Sequence, residues 1–459
     1  MPSKSPTKPK PATDKTAYDK GRDKSGDKGG GQGKGEGAKK PKWIAEVATA
    51  TSAIASDDWQ RCVGDGNPLL SYAFFSALET SDSVAANAGW WARPIVLKEV
   101  LGGGGEDIVR GIVPFYIKSH SWGEYVFDQA WADAWRQSGG EGIRPYYPKA
   151  QVAIPFTPVP SPRLLIDTTL ATDKKAEAHT ALANALIHIT HSLGLSSVHI
   201  TFADKAEYDR LISMPLPAEL AQVLHEADKS AGWHGGAWSG RLGTQFHWHN
   251  HGYGRFDDFM ATLTARRRKM IKRERRDVAA AGIRFQHLTG DDLRPQHWDD
   301  FYRFYLAVID RKWGGAYLTR QFFDHIHQSM PRDILLVMAY QENEAVAAAL
   351  NFIGSDTLYG RNWGSVVDVP FLHFETCYYQ AIDFAIARGL GRVEAGAQGL
   401  HKVQRGYQPA LTYSLHHMCH PQFHASVADF NRQEARLIAA EHETLANHSP
   451  YNARTKSSL

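Results

Sequence analysis

The strongest constraint on what this chain can fold into is that it echoes itself. Leu70-Ser-Tyr-Ala-Phe-Phe-Ser-Ala-Leu78 has a counterpart in Leu318-Thr-Arg-Gln-Phe-Phe-Asp-His-Ile326, and each is apolar at helical spacing behind a Ser or Thr able to cap a helix. A hairpin is predicted next in both: Pro94 to Val100 and Val109 to Phe115 stand against Ile334 to Tyr340 and Val346 to Phe352. A third strand is predicted at Tyr125 to Trp131, beside Thr357 to Trp363. Each half then runs through a helix closed by glycine into a β-rich segment: Ala185 to Leu193 before Gly194 to Phe202, and Ala381 to Arg388 before Gly389 to Gly396. Five blocks in one order predict a duplication. Their spacing shrinks along the chain, so the first copy carries the longer insertions, the Pro-rich stretch Pro145 to Pro162 foremost among them.

The first 42 residues stand outside this pattern. They hold 12 Lys and Arg against 5 Asp and Glu, with a single aromatic residue, Tyr18. Such a segment cannot bury enough apolar surface to offset the entropy of ordering, so a disordered basic tail is predicted over 1–42. Without it the formal charge falls from +3 to −4, which removes net charge as an argument for nucleic-acid binding. The predicted division is 43–252 for the first copy and 253–459 for the second, the latter with a basic helix over 264–277 and a C-terminal helix. Cys62, Cys377 and Cys419 form no CxxC pair, and no uncharged apolar run reaches the ~18 residues of a membrane span. A cytoplasmic protein without integral membrane contact is expected.

Helix, antiparallel hairpin, third strand, helix, strand is an α+β order that resembles the GNAT acyltransferase fold, and two copies in tandem resemble the Fem-type aminoacyl transferases. The local sequence is similar to a FemAB-like bacterial family described as predicted N-acyltransferases or peptidoglycan biosynthesis proteins. The resemblance runs from about Trp59 to His417. It rests on Gln245-Phe-His-Trp-His-Asn250, Arg311-Lys-Trp-Gly314, Tyr317-Leu-Thr-Arg320, Leu372-His-Phe-Glu375 with Tyr378-Tyr-Gln380, and Arg392-Val-Glu-Ala-Gly-Ala-Gln-Gly399 followed by His401-Lys402 and Arg405-Gly-Tyr407. Leu400 stands where the family pattern leads one to expect Glu. The resemblance implies transfer of an acyl or aminoacyl group onto an amine, from aminoacyl-tRNA or acyl-CoA, to a small-molecule or carrier-linked acceptor related to cell-wall precursors.

The residues themselves suggest where such chemistry would sit. His373 and Glu375 open a helix just after the Arg361–Trp363 strand, and Glu394 lies on the next strand. The three are the candidate catalytic groups, because amine acylation needs a base to take an ammonium proton. Arg361-Asn-Trp-Gly-Ser-Val366 is the nearest match to a pyrophosphate turn at a helix N-terminus, with Val366 where a small residue belongs. Gln398, His401, Lys402, Arg405 and Tyr407 form a Gly-flanked loop suited to gripping an anion. With Arg361, Trp363, Tyr379, Lys312 and Trp313 they make the expected substrate-binding set.

Arg266-Arg-Arg-Lys-Met-Ile-Lys-Arg-Glu-Arg-Arg276 concentrates positive charge on a helix, with Arg267, Lys269, Arg273 and Arg276 as candidate contacts to tRNA or another phosphate-bearing donor. A solvated face is the plainer alternative. A rival for the whole chain is a non-catalytic protein that keeps the GNAT-like fold and binds RNA or another polyanion without turnover. His247, His249 and His251 alternate as a strand would present them, but no fourth ligand accompanies them and no catalytic metal is expected.

Overall fold

The computed structural model describes residues 42–101, 106–138, 144–218, 220–222, 236–311, 315–396 and 399–452. The predicted tail lies outside them up to Lys42, where the first strand begins.

The first half comprises β1 (Lys42–Val47), α1 (Ser56–Val63), α2 (Tyr72–Thr80), β2 (Trp90–Ala92), β3 (Ile95–Val100), β4 (Ile108–Val113), β5 (Phe115–Lys118), α3 (Gln129–Ser138), β6 (Lys149–Val152), β7 (Leu165–Ile166), α4 (Thr172–Ser192), β8 (Ser197–Ala203), α5 (Lys205–Ile212) and β9 (Ser239–His249). The second comprises α6 (Phe256–Thr262), α7 (Ala265–Ala280), β10 (Ile283–Leu288), α8 (Pro295–Arg311), α9 (Arg320–Ser329), β11 (Ile334–Gln341), β12 (Glu344–Ile353) and β13 (Thr357–Ser365). It continues with α10, in which a π-helical turn, Glu375–Tyr379, joins Leu372–Phe374 to Gln380–Ala387, and ends with β14 (Arg392–Glu394), β15 (Gln408–Met418) and α11 (Pro421–Asn447).

The repeat is visible in its caps. Ser71 Oγ accepts from the Phe74 N–H and Thr319 Oγ1 from the Phe322 N–H, which fixes the starts of α2 and α9. α4 and α10 stop alike. Gly194 and Gly389 sit at φ 67° and 68°, the Leu195 N–H reaches the Thr190 carbonyl at 3.1 Å, and the Leu390 N–H reaches the Ala385 carbonyl at 2.8 Å.

Eleven strands form one sheet in the order β10-β11-β12-β13-β14-β9-β15-β8-β6-β5-β2, and β1-β3-β4-β7 form a second. Pro94 and Pro114 divide the first-copy hairpin between the two sheets, because neither can donate to a ladder where β2 gives way to β3 and β4 to β5. In the large sheet the halves trade their last strands. β9 leaves the first half to pair with β14 of the second, while β15 leaves the second to pair with β8 of the first. Nine residue pairs, Gln408↔His247 to His416↔Ser239, then join β15 to β9.

One predicted strand is corrected. Tyr125 to Trp131 is not the third strand of the first copy: Tyr125 takes a left-handed turn at φ 58°, and α3 begins at Gln129. The strand is β6, inside the Pro-rich stretch read as an insertion. Its four residues, close behind Pro145 and Pro148, carry too little pattern to show as a strand.

Among the described residues five apolar clusters hold the layers. Two of the three largest lie mainly in one half each and the third is shared, with Phe74 of α2 meeting Phe322 of α9 at 5.8 Å and Phe352 of β12 at 5.5 Å between ring centroids. Since shared strands and a shared core couple the halves, calorimetric unfolding of residues 42–459 is expected to be a single transition. Two well-separated transitions would contradict the coupling.

Candidate active site in the second-copy strand fork

β13 and β14 run parallel and pair only at Thr357↔Arg392, Leu358↔Val393 and Tyr359↔Glu394. Beyond that they part, beside a bulge. Leu350 of β12 faces Asn362 and Asn351 faces Gly360, leaving Arg361 without a partner on β12. A cavity of about 360 Å³ lies at the opening, walled by Arg361 and Trp363 of β13, His373, Cys377 and Tyr378 of α10, and Tyr305 of α8. Arg361 donates to the Phe156 carbonyl, and among the described residues no carboxylate stands within ion-pair distance of it.

The matching fork in the first copy, between β6 and β8, is filled. Arg163 is fully buried and donates to the carbonyls of Thr201 at 2.9 Å, Val159 at 2.8 Å and Ser161 at 3.1 Å.

Glu394 is the last paired residue before the second fork opens. It is buried, with both carboxylate oxygens lacking a hydrogen-bond donor among the described residues. Arg392 Nη2 lies 3.1 Å and His247 Nε2 4.0 Å from Oε1. Burial pushes the carboxyl up to about 7 against the opposing pull of Arg392. Its pairing partners Tyr359 and His247, with His249 and Arg392, line a larger cleft of about 890 Å³ whose opposite wall comes from the first copy, and the next residue, Ala395, lines the fork cavity; Glu394 itself lines neither.

The other two candidate catalytic groups lie elsewhere. His373 faces the fork cavity, its ring 5.0 Å from Trp363. Glu375 turns away under α7, where Arg275 Nη2 sits at 3.0 Å and Gln380 donates at 2.7 Å; burial raises its pKa and Arg275 opposes the rise. The structure therefore does not gather His373, Glu375 and Glu394 into one cluster.

The π-helical turn decides which tyrosine serves the cavity. His373 and Cys377 are four apart, and the turn places Tyr378 beside them. Tyr379 is rotated toward α7, where its hydroxyl donates to Glu274. Arg405 joins it there, its Nη2 2.6 Å and Nε 3.1 Å from the same carboxylate, with its guanidinium 3.5 Å from the Phe374 ring centroid.

Tyr407 is fully buried against Tyr378. His401 bonds the Tyr378 hydroxyl at 2.9 Å. Lys402 is buried and donates to the carbonyls of Ala395 at 2.6 Å and Gly396 at 2.9 Å, so it holds the chain that leaves the fork; burial draws its ammonium down to about 8. Gln398, Lys312 and Trp313 lie outside the described residues.

Gly364 is corrected as well. It lies inside β13 rather than at a helix N-terminus, and a Cβ there would come 2.2 Å from the Phe304 carbonyl carbon, so it is small to admit α8. The pyrophosphate turn is absent at this position.

On α7, Ile271, Glu274 and Val278 face inward, while Lys269, Lys272, Arg273 and Arg276 are exposed. Arg267 is half-buried and reaches Gln404. Arg273 and Arg276 share Asp277, at 3.9 Å and 2.8 Å. The stripe ends beside the site: the Arg273 guanidinium lies 5.5 Å from the Phe371 ring centroid, two residues before His373. His247 and His249 share the cleft wall with ring centroids 6.4 Å apart, and His251 falls past the end of β9.

Each half thus contributes a parallel strand pair that opens into a fork, and traded strands join the two in one mixed sheet flanked by helices. The chain belongs to the FemAB-like family of peptidoglycan biosynthesis/recognition, whose profile it matches over residues 50–453. Among solved structures it is similar to FemX, at 11% identity over 82% of this chain and 98% of that one, with a TM-score of 0.46. It is also similar to a tandem GNAT protein from the clavulanic acid biosynthesis pathway, at 9% identity over 82% and 98% of the two chains and a TM-score of 0.39. The C-terminal domain of a putative lysylphosphatidylglycerol synthetase from Agrobacterium fabrum shares 7% identity over 83% and 96%, with a TM-score of 0.41. No curated protein matches. Among the described residues no helix is long and apolar enough to cross a membrane.

Glu274→Ala is expected to destabilise the fold by roughly 3–5 kcal/mol, because it strands the Arg405 charge in the interior. A melt within a degree of the parent would show that Arg405 does not depend on this carboxylate.

Proposed function

We propose that this chain is an N-acyltransferase that moves an acyl or aminoacyl group from a phosphate-bearing carrier onto an amine. The reading is carried by the buried carboxylate of Glu394 at the mouth of the second-copy fork, whose pairing partners His247 and Tyr359 line the larger cleft and whose neighbour Ala395 lines the fork cavity. The acyl group occupies the fork cavity, with its carbonyl toward Arg361. The carrier's phosphates run along Lys269, Lys272, Arg273 and Arg276 of α7. The amine arrives through the larger cleft between the copies, where Arg392, His247 and His249 suit an acceptor bearing a carboxylate. A cell-wall precursor with a peptide end fits that chemistry, and the family's description supports it.

In the reaction the ammonium of the acceptor gives one proton to Glu394, the freed amine nitrogen forms a bond to the acyl carbon as the carbon–carrier bond breaks, and the second proton lost from nitrogen leaves on the carrier's oxygen or sulfur. With its pKa at about 7, Glu394 is an effective acceptor at neutral pH and becomes fully ionised only above it. His373 and Tyr378 shape the donor side. Glu375, Tyr379, Arg405 and Tyr407 support the α10 wall without touching substrate.

Turnover should therefore rise with pH through about 7 and level off above it, and Glu394→Gln should lower it by about 10²–10⁴-fold and abolish the rise. Loss of fold does not confound this test. The native carboxyl keeps its proton up to about 7 whereas a free one releases it near 4.5, so wild-type stability falls between those values as pH rises and the Gln variant escapes that fall. Full activity in Glu394→Gln would move proton removal elsewhere.

Changing Lys269, Lys272, Arg273 and Arg276 together to Gln should weaken carrier binding at low salt by at least about tenfold and flatten its salt dependence. Unchanged affinity would show that the stripe is only solvated.

A further inference from the structure

At the end of the large sheet remote from the fork, three ligand-type side chains from both halves converge. His191 lies in the last turn of α4. His417 lies near the end of β15 and Cys419 just beyond it, two residues on and so on the same side. The Nε2 atoms of His191 and His417 are 3.0 Å apart, and these two atoms and Cys419 Sγ all fall within 4.8 Å of one another. His417 Nδ1 lies 2.8 Å from the Ala237 carbonyl oxygen. A carbonyl can only accept, so Nδ1 carries the hydrogen and Nε2 accepts from His191 Nε2–H; a metal would take that Nε2 lone pair, with His191 shifting its hydrogen to Nδ1. This is the orientation that outer hydrogen bonds impose on metal-bound imidazoles.

We propose that His191, His417 and Cys419 bind a zinc ion that clamps the traded strand β15 to the first half. Two imidazole nitrogens and a thiolate are a zinc-type donor set. Zinc bonds of about 2.0–2.1 Å to nitrogen and about 2.3 Å to sulfur, in tetrahedral geometry, ask for donor separations of roughly 3.3–3.6 Å. Small side-chain rotations bring the three atoms to that spacing, and water completes the coordination.

Binding forms a Zn–S bond, breaks the S–H bond and releases that proton to solvent. Packed around the three are His424 on α11, which accepts from the Met418 N–H at 3.2 Å and whose ring stands 5.5 Å from that of His417, and Trp238, 6.1 Å from the same ring.

This clamp is separate from the transfer chemistry. Its ligands tie α4 of the first half to β15 of the second beside Ala237, at the lead-in to β9.

The full chain, stripped with chelator and titrated with Co²⁺, should develop tetrahedral visible bands and a near-ultraviolet thiolate-to-cobalt charge-transfer band at one equivalent. Zn²⁺ should bleach both and raise the melting temperature. Cys419→Ser should lose the charge-transfer band and His191→Gln should weaken binding by more than about tenfold, while Cys62→Ser and Cys377→Ser behave as the parent. Far-ultraviolet circular dichroism establishes that each variant is folded. Absence of the bands in the wild type at saturating Co²⁺, their survival in Cys419→Ser, or their loss in Cys377→Ser instead would each overturn the assignment.

Discussion

Everything in this molecule depends on the pairing of β9 with β15. Each of these strands is the last of its own half, and each completes the ladder of the other. A single sheet of eleven strands results where two shorter sheets would otherwise leave edges. An open edge is a row of unsatisfied backbone donors and acceptors, so trading strands satisfies both halves at once and fixes their relative orientation. It also fixes the chemistry. β9 brings His247 opposite Glu394, and β15 follows the 400–405 segment whose Lys402 holds the chain leaving the fork.

The two copies have then diverged around one geometric idea, a parallel strand pair that opens. In the first copy Arg163, just past the Pro-rich segment, closes the opening by donating to the carbonyls of Thr201, Val159, Ser161 and Pro162. In the second the opening is left as a cavity, and the groups around it are arranged in two shells. Arg361, Trp363, His373 and Tyr378 face inward. Glu375, Tyr379 and Arg405 face outward and are neutralised by Arg275 and Glu274, so the basic helix both packs the α10 wall and leaves its other face charged. That helix needs Glu274 buried for the first task, which is why a carboxylate interrupts the run of cations from Arg266 to Arg276.

Much of the fold was legible because it rests on local signals. Ser71, Thr319, Gly194 and Gly389 announce helix ends by chemistry that operates within a few residues, and they do so in both copies. The partner of a strand is not a local property. His247, His249 and His251 alternate as a strand presents them, but nothing in that alternation says that β9 pairs across the duplication. β6 was hidden for a related reason: a four-residue strand between proline-rich turns has too few positions to show a period. At the site, Arg361, Trp363 and His373 could be found from their place between strand and helix. Tyr378 was passed over for Tyr379, since a π-helical turn shifts the face of α10 without changing the sequence pattern. Glu375 looked like a partner of His373 until Arg275, about a hundred residues away in sequence, was seen to claim it.

The central claim is that the acyl donor enters the second-copy fork and only that fork. Hydrogen–deuterium exchange in the presence of a non-hydrolysable, amide-linked aminoacyl-nucleotide tests it directly, because backbone protection reports position without requiring turnover. The account predicts slowed exchange in 359–363, 371–379 and 399–405, with the first-copy segment 149–163 unchanged. Protection confined to 149–163, or spread equally over both forks, would contradict it.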